Sequence, residues 1–532
     1  MKNNPPFSFE TRVRVCIATL ILLFIFAPLL RQSTPTPYWF HDNFFNTLQI
    51  AENFREKGFP TFDGVTLTND FSLLWGLILS GLSAVISSQS TLFFILLRTM
   101  IGIALAASLW LFGKIFDALE FKPTKEIAFL ISSFFTALFL HSGITGSDAA
   151  FVIPFILFSS LCLLNALKKP SFFSGFIYGL SVSLCAFARF DSLCFFAVML
   201  LVFYFQFNGK EPVSTKQLLI LIFGLMIGMI PLMAYADMWQ TKFGSPVPAE
   251  MLSWTLAQGM AAWRILIVLF FEPIRYIFQM PQYLALVLFP TILLLLVAYA
   301  SFPWHESKLT PKDTLFFSFI WFPLFYLALI AGLTFITVPE YSFYPFAVGA
   351  PLALMYATTK IDSQIEEKEK KQARIFWFAL SCLLMFVALG LSLKPRFAHF
   401  VPLTQTIAEF TKDHPGRYAM SAGSGITSFA TKATVVRLDG MAQDMNLLKM
   451  IETQEALNKA LQHYRVDYFI SFNPKKGESC YSVRAPVQNR FGGTNKGMSD
   501  WFCAEPVFEK QATPAIKVAI FKIDASGKAV SP

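Results

Sequence analysis

Apolar runs close to the length that crosses a bilayer, about 20 residues, follow one another through most of this chain. Each such run must be covered by lipid or by another run, so the fold is limited to packed membrane helices. The composition agrees. Of 532 residues 55% are hydrophobic and 14% charged, against about 25% charged in soluble domains. The net charge of +9 does not indicate a nucleic-acid partner, because the basic residues form short clusters between apolar runs and no basic stripe. In a membrane protein such clusters set orientation.

The first run, Cys16–Leu30, follows Arg12 and Arg14 and is succeeded by "RQSTPTPYWF", which lacks a small-residue cleavage site. It reads as an uncleaved span with its N-terminus inside. The segment Phe71–Ser88, "FSLLWGLILSGLSAVISS", is apolar enough to cross, yet crossing would put Lys114, Lys122 and Lys125 outside. The positive-inside bias therefore lays it at the outer interface and makes Leu92–Phe112 the second span. Spans near 126–141, 149–167, 171–188, 192–208, 217–236, 283–301, 314–336, 343–359 and 375–393 then keep the lysine clusters inside. The expected fold is an α-helical polytopic membrane domain, residues 1–393, with about eleven spans and a long first outer loop, 31–91. Residues 394–532 have another composition. "RYAMSAGSGITSFA", "ATVVRLDG", "VDYFISF" and "IKVAIFKI" read as strands, and "ETQEALNKALQHY" as an amphipathic helix. That predicts a small α/β domain on the outer side, in which Cys480 and Cys503 could pair if the compartment is oxidising. No transporter-type repeat or broken helix is legible.

In this topology the unusual polar residues collect on the outer face. They include His41, Asp42, Asp63 and Asp70 in the first loop, His141 and Asp148 in the next, then Arg189 and Asp191, and Glu340 with Tyr341. Ionisable groups at the membrane boundary are costly and tend to face cavities. After Asp42, Phe44, Phe45, Leu48, Ala51 and Phe54 fall at helical spacing, with Asn46, Gln49, Asn53 and Glu56 opposite, and Gly58 and Pro60 end the run. Such a helix should lie on the membrane surface with Asp42 at its N-terminal end, where the dipole would depress the carboxyl pKa. An ionised Asp there suits a general base. Asp148 reads as the N-cap of its span. Two separated His without ligand spacing make a poor metal site.

"HDNFFNTLQIAENFREKGFP…TNDFSLLW" resembles the start of a GT-C glycosyltransferase, in particular the bacterial branch related to terminal β-(1→2)-arabinofuranosyltransferases and mannosyltransferase-like enzymes. "SGITGSDAAFVIPF", "AFARFDS", "KFGSPVPAEMLSWT", "PEYSFYP" and "VVRLDGMAQD" resemble later pieces of that pattern. The resemblance implies a polyprenyl-phosphate sugar donor, a cell-envelope glycan or lipid acceptor, a bacterial inner-membrane location and a periplasmic tail. It maps the catalytic Asp onto Asp42 and a phosphate-binding Arg onto Arg98, with Arg189 a second candidate. His41, Asp70, Asp191, Glu340 and Tyr341 are the further substrate-side candidates. No cofactor is required, although the pattern leaves room for a divalent metal. The chain departs from the family where His41 replaces an acid, Phe190 a Pro, Ala249 an Asn and Glu340 an Arg. Two other readings stay open: a lipid or oligosaccharide transporter, and a non-catalytic partner of the same fold.

Overall fold

The computed structural model describes residues 17–26, 36–69, 72–143, 146, 148–206, 215–248, 289–301, 311–333, 343–393, 398, 400–421, 423–439, 444–486 and 497–531. Asp70, Glu340 and Tyr341 lie outside these residues.

The apolar runs form helices. These are α1 (Ile17–Phe26), α4 (Thr91–Ala118), α5 (Lys125–Gly143), α6 (Ala149–Lys168), α7 (Phe172–Ala188), α8 (Leu193–Gln206), α9 (Thr215–Gly228), α10 (Ile230–Phe243), α11 (Phe289–Ser301), α12 (Pro311–Leu333), α13 (Tyr344–Gln364) and α14 (Glu367–Ser392). Among the described residues, four are long and apolar enough to cross a membrane, five counting a bent pair, by length and composition alone. The lipid-facing sides are identifiable: Ile103, Trp110, Leu296 and Phe386 are well over half exposed, as side chains covered by acyl chains would be in the isolated protein.

The run at 217–236 forms two helices, α9 and α10, bent by 48°. Pro231 sits in the first turn of α10, where it has no N–H to give to the preceding turn. The Ser183 hydroxyl donates to the Gly228 carbonyl at the bend (3.2 Å). The expectation of unbroken helices is therefore corrected here. Helix α9 packs on α7 through glycines on both partners. A Cβ on Gly175 or Gly179 would stand 2.2 Å from the carbonyl oxygen of Leu221 or Leu225, and one on Gly224 or Gly228 would meet α7 backbone as closely. Such small-xxx-small faces let helix backbones touch where lipid offers no hydrophobic drive.

Between α1 and α4 the chain forms α2 (Asp42–Lys57) and α3 (Leu73–Val85). At 13 residues, α3 is about 20 Å long, short of the roughly 30 Å hydrocarbon core. It packs on α2 and α7, with Trp75 stacked on Phe151 at 4.6 Å.

Beyond the last span, the tail begins with α15 (Phe400–Thr411). Strands β1 (Arg417–Met420), β2 (Thr434–Arg437), β3 (Tyr468–Phe472), β7 (Phe508–Thr513) and β8 (Ile516–Ile523) build a sheet in the order β2-β1-β3-β8-β7, with β9 (Ala529–Val530) beside β8. β1 runs parallel to β2 and β3, and β8 antiparallel to β3 and β7. A second antiparallel sheet joins β4 (Lys475–Lys476), β5 (Tyr481–Pro486) and β6 (Gly497–Phe502). Cys480 and Cys503 are disulfide-bonded beside it. Two expectations are corrected. Only Arg417–Met420 of the first strand run is extended; Gly423, at φ 75°, turns the chain into helix α16 (Ser424–Thr431). Within the run at 452–464 only α18 (Leu457–His463) is helical; Glu452 ends a preceding helix, α17 (Met445–Glu452), and Gln454, at φ 54°, lies between the two.

The glycine seam gives a test. Gly179→Leu is expected to destabilise the fold by about 1–3 kcal/mol, the usual range for overpacking, read as a lower thermal midpoint in detergent. Gly390→Leu, where nothing lies within 4 Å of an added Cβ, should leave the midpoint unchanged.

Candidate functional site

Asp42 is the first residue of α2, and its carboxylate does not cap that helix. His41 does, its Nδ1 accepting the Asn43 N–H (3.1 Å). That bond places the proton of a neutral imidazole on Nε2. The Asp42 carboxylate instead points into the tail. Its Oδ1 accepts the Ile426 N–H (2.8 Å), and the Gly425 N–H is a second backbone partner. Two helix N-termini, of α2 and α16, thus converge on one carboxyl group. Gly425 makes this approach feasible. A Cβ there would lie 2.3 Å from Asn46 Oδ1 and 2.6 Å from the Asp42 carbonyl oxygen.

The side chain is buried, and this reverses the expected electrostatics. Helix N-termini and the nearby Arg437 guanidinium pull the Asp42 pKa down, and Asp439 pushes it up, but burial is the largest effect and the pKa ends above its ordinary value. Arg437 is fixed by a bidentate pair with Asp439 (2.6 and 2.8 Å). The sequence pattern put none of Arg437, Asp439, Gly425 or Ile426 among the candidate site residues. The sole hint was the "VVRLDG" resemblance.

The tail is locked onto the first outer loop at several further points. Tyr38 hydrogen-bonds Thr404, and Asp63 pairs with Arg417. Asp63 also accepts the Val65 and Thr66 N–H groups (3.0 and 2.7 Å), so it is a turn-forming anchor. The Phe45 and Phe429 rings meet at 4.9 Å. This cover buries Asn46 and Asn53, which the amphipathic pattern had assigned to the polar, solvent side.

Arg98 lies one helical turn from Phe94, whose ring packs at 5.3 Å from Phe40 and 6.3 Å from Phe44. Its guanidinium sits over the faces of Phe24 (4.1 Å) and Trp39 (5.2 Å). An aromatic cradle holds a cation by the ring quadrupole and keeps it desolvated. Trp39 is three residues before Asp42, so the cradle and the carboxylate hang on the same short stretch of chain.

Arg189 and Asp191 occupy a separate knot. Arg189 donates to both Asp191 oxygens (2.9 and 2.6 Å) and to Asp148 Oδ1 (2.8 Å). Tyr326 and Tyr344 donate to Asp191, and Ser72 to Asp148. Asp148 stands at the expected N-cap position of α6 but makes no capping bond; its carboxylate serves Arg189. Five segments are tied together here, and a phosphate on Arg189 would have to compete with two carboxylates. Asn69 donates to the Val247 carbonyl (2.9 Å), tying residue 69 to the stretch after α10. His141 is buried against Phe343 at 5.9 Å. Among the described residues, no group of three His, Cys, Asp or Glu is gathered as metal ligands would be.

If Asp42 carries its charge in a dry site, the sign of its stability effect follows. A raised carboxyl pKa means that its contribution is greatest below the ordinary pKa and is lost as pH rises through the raised value. Asp42→Asn is therefore expected to have a higher thermal midpoint than the wild type at pH 7, with the difference narrowing on acidification.

No protein-family model matches the chain, and no curated protein matches it. Among solved structures, ArnT from Cupriavidus metallidurans bound to undecaprenyl phosphate superposes with a TM-score of 0.51 at 6% identity, covering 87% of this chain and 92% of that one. Arabinofuranosyltransferase AftD from mycobacteria gives 0.46 at 12% identity over 98% of this chain, which spans 40% of that protein's length. The ArnT likeness shows the fold alone: this chain shares the fold of that protein.

Proposed function

We propose that the protein is an inverting glycosyltransferase that moves a sugar from a polyprenyl-phosphate donor to a cell-envelope glycan or lipid. In this reading it lies in a bacterial inner membrane, with its N-terminus cytoplasmic and its tail periplasmic. The observation that carries the proposal is Asp42: a buried carboxylate of raised pKa, oriented by backbone N–H groups, where an interfacial helix meets the tail. The undecaprenyl phosphate bound to the ArnT neighbour supports the donor class.

The Ile426 and Gly425 N–H groups orient the carboxylate, which takes the proton from the acceptor hydroxyl. The freed oxygen attacks the anomeric carbon as its bond to phosphate breaks, inverting that centre. A carboxylate whose basicity is raised by burial removes the proton more readily than one in water. Polyprenyl phosphate is a good leaving group and needs no general acid, only stabilisation of its charge. Arg98 fits that task better than Arg189, because aromatic faces surround it where two carboxylates surround Arg189. His41 orients the start of α2, and the Arg189–Asp191 knot fixes the helix ends around the site. Asp70, Glu340 and Tyr341 remain substrate-side candidates from the sequence pattern. No step uses a cofactor or metal.

The bent α9–α10 pair is the feature that most resembles a transporter. Its break falls at Met229–Pro231, which carry no ionisable side chain to bind a coupling ion, so it does not favour that reading.

Replacing the base tests the assignment. Asp42→Asn should lower transfer by roughly 10²–10⁴-fold in membranes of a strain lacking the native copy, while undecaprenyl phosphate still raises the thermal midpoint of the purified variant. Wild-type transfer by that variant would sink the assignment. Arg98→Ala should instead weaken the undecaprenyl phosphate shift. Arg437→Ala, which removes the main cation lowering the Asp42 pKa, should move the acid limb of the pH–rate profile to higher pH.

A further inference from the structure

A cleft of about 410 Å³ lies between α2, the turn at 88–89 and the α16–β2 connection, on the far side of α16 from Asp42. Its walls are polar. Gln49, Glu52 and Glu56 come from α2, Gln89 from the turn, and Lys432 from the end of α16. With Lys57 and Asp63 they offer amides, carboxylates and two ammonium groups, hence donors and acceptors in one cleft. Among the described residues that line it there are charges of both signs and no arginine, which suits a hydroxyl-rich ligand better than a phosphate.

The cleft and the base share one seam. Asp42, Asn46, Gln49 and Glu56 recur at helical spacing and lie along one face of α2. Gln49 is about two turns, roughly 10 Å, from Asp42. Helix α16 roofs the first part of this face through Gly425 and Ile426. Its last polar contact is Ser428 Oγ to Gln49 Oε1 (3.4 Å), and beyond it the cleft opens. Asn53 holds the cleft floor, donating to the Thr61 and Phe62 carbonyls (2.8 and 3.0 Å).

We propose that this cleft binds a saccharide portion of the acceptor away from its reacting hydroxyl, outside the α16–α2 contact that covers Asp42. The proposal rests on the glycosyltransferase reading above. Gln49 and Glu52 bond sugar hydroxyls, and Lys432 closes the rim. Specificity for the acceptor then lies in the seam between the first outer loop and the tail, apart from the Arg98 cradle that takes the donor.

The test places the photoreactive residue p-benzoylphenylalanine at Gln89, an exposed position, in the full chain in its own membranes, with Lys475 on the second sheet as control. Illumination should give an adduct at 89, and none at 475, that reacts with hydrazide after periodate oxidation. Alkaline deacylation distinguishes a glycolipid, whose adduct loses mass, from a free glycan, whose adduct does not. Gln49→Ala with Glu52→Ala should reduce the adduct about tenfold or more at an unchanged thermal midpoint. A carbohydrate-free adduct, no adduct, equal labelling at 475, or insensitivity to the double substitution overturns the proposal. If Asp42→Asn retains transfer, the catalytic assignment fails while the adduct still reports the cleft. If Asp42→Asn loses transfer and no glycan adduct forms, the cleft proposal alone fails.

Discussion

The structure turns on the contact between the Asp42 carboxylate and the N-terminus of a short helix from the tail. A buried carboxylate without partners would be expelled or protonated. Here two backbone N–H groups and the field of Arg437 hold it in place. That contact requires α16 to reach α2 at backbone distance, which only glycine at 425 permits. The Asp63–Arg417 and Tyr38–Thr404 contacts keep the tail where this can happen. The first outer loop and the tail therefore form one unit, although the membrane helices separate them in sequence.

Two buried arginines show how neighbours decide what a cation does. Arg189 is neutralised by Asp148 and Asp191, and its hydrogen bonds fasten the α7–α8 connection to the start of α6. Arg98 lies among aromatic faces, where a negative group gains more from its charge. The sequence presents both simply as arginines at the outer edge of an apolar run. Only the packing separates a fastening from a candidate binding group.

Much of the membrane part was legible because lipid imposes a single period and length on each run. Phe71–Ser88 was read as interfacial from lysine bias; the helix formed there, Leu73–Val85, has 13 residues. The start of α2 was legible because apolar spacing, Gly58 and Pro60 mark it independently. What failed was local patterning under tertiary control. Ile426 and Phe429 looked like strand residues, yet eight residues are too few for helical period to declare itself, and the tail's contact with α2 decides the conformation. Asn46 and Asn53 looked solvent-facing until the tail covered them. The predicted fall in the Asp42 pKa took account of the helix dipole and not of burial, which requires a partner 384 residues away.

That separation has a consequence for the order of events during synthesis. Asp42 is made with the first outer loop, whereas the peptide groups that orient it arrive with residues 425 and 426. At 5–20 residues per second, the interval is on the order of tens of seconds. Throughout it the carboxylate lacks the peptide groups that orient it in the folded chain. Its buried setting therefore forms only when the tail folds back over residues 42–46. That contact cannot close until the intervening helices have been made.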